Sequence, residues 1–154
     1  MTNTTIPTEA DWADYQTEVD CQEAYDLYAG KDAESLKSVF VESVGRCVDG
    51  LHFMPPKVFH YYACIFADYV LQAEKLPGLQ TEDRARAAAG LFTLLENKLH
   101  ISPMDVQEIY PQLIEIAKYV ADHQANYYAD KEQYGDFSKQ LVVFNALAKE
   151  SHII

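Results

Sequence analysis

Three side chains near the middle of the chain could do chemistry together. His60, Cys64 and Asp68 stand four residues apart, and on a helix that turns 100° per residue this spacing stacks them along one side. An imidazole, a thiol and a carboxylate so placed could supply three ligands to a catalytic zinc ion, or a histidine that activates a cysteine nucleophile. A working site needs a fourth ligand or an oxyanion donor, and the candidates are His52, His100 and His123. Pairs at i and i+4 arise often by chance, however, and small thiols and histidines are commonly buried in packing roles. No metal or other cofactor is expected, and His60, Cys64 and Asp68 are the fallback set.

Charge offers a second kind of chemistry. The chain carries 24 acids against 12 Lys and Arg, a formal net charge of −12, and residues 1–32 hold eight of the acids with Lys31 as their single counter-charge. Such a field attracts basic partners and repels nucleic acid and anionic membranes, so neither of these is expected as a direct partner. Asp11, Asp14 and Glu18 would form an acidic strip along a first helix, and Glu108, Glu115 and Asp122 a second, solvated one. Trp12, Tyr15, Tyr25 and Tyr28 lie close to the first strip in sequence, and Tyr61, Tyr128 and Tyr134 also fall off the core stripes and near acids. Partial burial on a small bundle is one account of these rings. The other is a partner surface, because aromatic rings give contact area at low entropy cost while carboxylates steer a cationic surface toward them. Asp11, Trp12, Asp14, Tyr15, Glu18, Tyr25 and Tyr28 are thus the expected partner-binding residues. The expected partner is a basic protein, such as a toxin or a nucleic-acid-binding enzyme, and exposed rings would also permit a homo-oligomer.

The elements that must position these groups are helices. Every periodic segment repeats near 3.6 residues, and no alternating strand pattern or Asn-Gly hairpin turn competes. Thr8 is a fitting N-cap for a helix carrying Trp12, Tyr15 and Val19, and Asp20 with Glu23 could cap a short second helix that Gly30 stops. Asp32 caps a helix with Leu36, Val39, Phe40, Val44 and Val48 inward and Gly50 at its end. Pro55-Pro56 opens a central helix whose broad apolar side holds Val58, Phe59, Tyr62, Ile65, Phe66, Tyr69, Val70 and Ala73. Thr81 opens the next, with Ala88, Leu91, Phe92, Leu95 and Leu99 as its stripe. The helix after Ser102-Pro103 carries Val106 to Tyr127 and should kink or restart near Tyr110, because Pro111 removes an amide donor. Tyr134-Gly135-Asp136 precedes a closing helix with Phe137, Leu141, Phe144, Leu147 and Ala148. The expected architecture is an all-α, compact single-domain bundle of about six helices over residues 8–154, with a flexible start over residues 1–7 and a buried central helix after Pro55-Pro56.

Composition narrows the class. Hydrophobic residues make up 49% of the chain, with six Gly and six Pro, which is the composition of a folded globule. The beginning lacks the basic and apolar regions of a secretory signal and no run of about 18 apolar residues occurs, so a cytoplasmic protein is expected. Cys21, Cys47 and Cys64 form no Cys-x-x-Cys pair and read as reduced thiols. No phosphate loop, zinc knuckle, nucleophile elbow or dinucleotide fingerprint is present. A non-enzymatic acidic inhibitor or immunity-type protein is the reading these features favour, with a small His60/Cys64/Asp68 enzyme and a homo-oligomeric structural protein as its rivals.

Asp20-Cys21-x-Glu23, Leu51-x-Phe53-x-x-Pro56-x-x-Phe59-x-Tyr61-Tyr62 and Phe137-Ser138-x-x-Gln140 together resemble a family of small uncharacterised bacterial all-α domains. The similarity covers the middle third of the chain and a short tail. Where such domains often carry Leu-Pro-Ala-Tyr after the tyrosine pair, this chain has Ala63-Cys64-Ile65-Phe66. The resemblance implies a compact bacterial helical domain and brings no activity and no site residues.

Overall fold

Proline at the first helical position, carboxylate caps and apolar stripes set most of the helix boundaries in the computed structural model, which describes residues 5–154. Among these residues there is no strand, and six helices have ten residues or more: α1 (Val19–Tyr28), α2 (Ala33–His52), α3 (Pro56–Ala73), α4 (Thr81–Ile101), α6 (Tyr110–Asp122) and α8 (Phe137–Glu150). Two single-turn helices, α5 (Pro103–Val106) and α7 (Lys131–Tyr134), link them. Short 3-10 turns occupy Glu9–Trp12, Tyr15–Thr17 and Gln124–Tyr127. The all-α architecture expected from the periodicity is the one that forms.

α3 is the centre. α2, α4 and α6 all pack on it, so Val58, Phe59, Tyr62, Ala63, Phe66, Ala67, Val70 and Ala73 are fully buried. Burial extends beyond the expected face to Ala63, Cys64 and Ala67, because α5 and α6 cover that side, while Ile65 is only half-buried. Asp32 caps α2 as expected, accepting from the Ser35 amide at 2.8 Å. The restart at Pro111 also occurs, since α6 begins at Tyr110 after the single turn of α5. The expected run to Tyr127 is therefore three pieces.

Other expectations are corrected. No helix runs from Thr8 to Val19: Ala13 takes φ +52, ending one 3-10 turn before a second begins, and Val19 is 75% exposed at the start of α1. Glu18 occupies the N-cap of α1, which leaves Asp20 in its first turn, where a negative charge still meets the positive end of the helix dipole. Gly50 does not end α2. It lies inside that helix, where a Cβ would come within 3.3 Å of the Tyr28 ring, so its lack of a side chain is what lets α1 approach. α2 is also broken at Ser43, whose φ of −143° and ψ of 46° interrupt the helix beside Gly45. Of the expected loose start, residues 1–4 lie outside the described residues, whereas Ile6 packs on the core and Pro7 is buried.

Candidate functional site

The aromatic residues expected at an N-terminal binding surface are mostly core. Trp12, Tyr15 and Tyr28 are 1%, 7% and 0% exposed, and Tyr61 is buried too. The break at Ala13 folds the segment back onto α1 and α3. Trp12 then meets Tyr25 edge-on with ring centroids 5.3 Å apart, Tyr15 stacks on Tyr25 at 3.8 Å, and Tyr28 lies 4.9 Å from Tyr62. Rings of this size gain more from such burial than from water, provided each phenol finds a partner. Tyr15 donates to the Glu9 carboxylate at 2.7 Å and Tyr28 to the Cys47 carbonyl at 2.7 Å. Its bond to Glu9, then burial, pushes the Tyr15 phenol up to about 12. Tyr25 is half-buried and Tyr128 exposed.

The expected acids divide. Asp11 is an internal partner: it pairs with Lys57 of α3 at 2.9 Å and accepts from the Thr8 amide at 2.8 Å, contacts that hold its carboxyl below the usual range. Asp14 and Glu18 are exposed, as are Asp20, Glu23 and Asp26 on α1.

The fallback set is not drawn together around one centre. His60 places Nε2 2.7 Å from the Asp105 carbonyl oxygen and Nδ1 3.3 Å from the Glu108 carboxylate. The buried Cys64 thiol donates to Gln112 at 3.5 Å, and Asp68 is exposed. Burial, with the Asp68 charge second, pushes the Cys64 thiol up to about 11, the reverse of the shift an activated nucleophile needs. Among the described residues no group of three or more His, Cys, Asp or Glu is placed to hold a metal ion.

A different feature offers a binding site. A groove of about 590 Å³ opens between α1, the second half of α2 and the C-terminal end of α4, a volume within the range of ligand clefts. From α1 come Asp20, Glu23, Ala24 and Leu27; from α2 and the residue after it, Arg46, Asp49, Gly50, His52 and Phe53. α4 and the residue after it give Asn97, Lys98, Ile101 and Ser102. Helical spacing explains the placement: Asp20 with Glu23 at i+3 and Asp49 with His52 at i+3 share one side of their helices. Phe53 and Ile101 present apolar surface at 40% and 78% exposure.

Lys98 is the least expected wall residue. At 3% exposure its ammonium is 3.1 Å from Asp105 and 4.4 Å from the centre of the Phe59 ring, so its charge has partners within the fold. Asn97 Nδ2 stands 3.4 Å from His52 Nε2, a donor position when that nitrogen is unprotonated. Burial first, and the nearby Lys98 charge second, hold the His52 imidazole below its ordinary pKa, while Asp49 opposes them. The chemistry on offer is recognition by carboxylates beside an apolar rim.

Sequence reasoning missed this groove apart from its charge. The signals available were Ile101, an apolar residue at the end of an amphipathic helix, and Phe53 just beyond another, both in positions where the stripe has run out. No protein-family model, no curated protein and no solved structure matches the chain.

Proposed function

We propose that this is an acidic, non-enzymatic binding protein that occupies a basic surface of another protein, as an immunity protein or inhibitor blocks a toxin or a nucleic-acid-binding enzyme. One observation carries the reading. After Glu9 and Asp11 are taken up in internal contacts, Asp14, Glu18, Asp20, Glu23 and Asp26 all remain exposed, and no Lys or Arg falls between residues 14 and 26. Unanswered carboxylates on one segment raise the encounter rate with a basic surface and suppress acidic partners. The buried rings of Trp12, Tyr15 and Tyr28 serve as the support that fixes this segment on α1 and α3, not as contacts. What weighs against the enzyme rival is the raised Cys64 thiol and the separate engagement of His60.

The test uses Asp14→Lys with Glu18→Lys. A partner is recovered by affinity capture from the native host, and its association is followed at two salt concentrations. The expected partner is basic, its on-rate falls as salt rises, and the double reversal slows association with little change in dissociation. An acidic partner, or an on-rate that ignores both salt and the reversal, overturns the reading. Far-ultraviolet circular dichroism of the variant shows whether the helices are intact.

A further inference from the structure

We infer that the groove between α1, α2 and α4 is an arginine-binding site that receives a basic segment of a partner protein. The inference rests on the binding reading above and gives it a place and a chemistry.

Three carboxylates, Asp20, Glu23 and Asp49, stand on the groove, and none makes an ion pair within 4.0 Å among the described residues. Against them the rim has Arg46, while Lys98 is already matched by Asp105. Ala24, Leu27, Phe53 and Ile101 give the walls their apolar part. A cation on an apolar stem fits both properties at once, because its methylenes can lie on the apolar wall while its head meets the carboxylates. Guanidinium suits this site better than ammonium. It is planar, forks to two carboxylate oxygens and can stack on an aromatic ring, and Phe53, 40% exposed, lines the groove. Burial holds the His52 imidazole below its ordinary pKa, which lessens the charge that would oppose a cation here.

An isotope-labelled full-length chain titrated with the blocked peptide acetyl-Ala-Arg-Leu-Arg-Ala-amide, and in parallel with its citrulline counterpart, tests this by amide chemical shifts. The expected result is saturable shifts at Leu27, Asp49, Phe53 and Ile101 with the arginine peptide, and binding weakened at least about tenfold with the neutral isostere. Glu23→Gln with Asp49→Asn should weaken arginine binding by a similar factor with an unchanged melting temperature, since both side chains are exposed. Equal binding of the two peptides, shifts confined to another face, or no shift at millimolar peptide overturns the site. A captured partner whose on-rate depends on Asp14 and Glu18 while the peptide fails leaves the binding reading standing and removes the groove. Arginine-specific shifts together with an acidic partner would do the reverse.

Discussion

Arg84 lies in the first turn of α4, the positive end of that helix, where a cation is electrostatically disfavoured. Its guanidinium reaches back to the end of α3 instead and donates to four carbonyls: that of Ala73, Glu74 at 2.7 Å, Leu76 at 2.9 Å and Leu79 at 3.1 Å. It thereby answers carbonyls that α3 leaves without helical partners and fixes the turn through Pro77 and Gly78. Arg84→Ala removes all four bonds at once. A hydrogen bond to a charged group contributes about 1.5–3 kcal/mol, but these four share one half-buried side chain and do not add, so a loss of about 2–4 kcal/mol is expected. For a chain of this size that lowers the melting temperature by roughly 4–16 °C. Arg84→Lys should recover less than half, because an ammonium cannot fork to four acceptors. Urea denaturation followed at 222 nm measures both, with an unchanged m-value as the sign that the denatured state is comparable. A loss below about 1 kcal/mol for the alanine variant, or a lysine variant as stable as the parent, would refute the capping role.

Two further outcomes follow from single groups. His52 is held below its ordinary pKa of 6.5, so the unfolded chain takes up a proton there before the folded one does. Its contribution to stability is complete above that value and is lost as pH falls through the folded pKa, and His52→Gln should flatten the stability profile on the acid side relative to the parent; parallel profiles would contradict this. Cys47 and Cys64 are buried, which raises their thiols to about 11 each, whereas Cys21, raised by burial and by the charges of Glu18 and Asp20, is half-exposed. Iodoacetamide at mildly alkaline pH should therefore label Cys21 first in the native protein, and mass spectrometry showing Cys64 labelled ahead of it would restore the reactive-thiol reading.

Much of the helical frame was legible because the forces that set it are local. Pro56 at a first helical position, Asp32 reaching the Ser35 amide and Pro111 interrupting the amide ladder all act within a turn or two of sequence, and α3, α2 and α6 begin where those residues stand. The stripe Ala88, Leu91, Phe92, Leu95 and Leu99 is buried throughout for the same reason, since 3.6-residue spacing alone puts those side chains together. The all-α class and the placement of charge were sequence properties.

What surrounds each helix was not legible. Trp12, Tyr15 and Tyr28 sit beside acids in sequence yet are buried, because the backbone reversal at Ala13 and the rings of Tyr25 and Tyr62, the latter more than 30 residues away, decide their surroundings. At Gly90 a Cβ would come within 3.0 Å of Val48 and 3.2 Å of Phe66, so it is the place where α4 closes on α2 and α3. Lys98 is a cation in the last turn of α4, and only the arrival of Asp105 and Phe59 makes its burial tolerable. The groove exists for the same cause: Asp20, Asp49 and Ile101 meet because three helices converge there. Periodicity tells which side of a helix must be covered, whereas the covering surface is a property of distant residues and is fixed only when the helices pack.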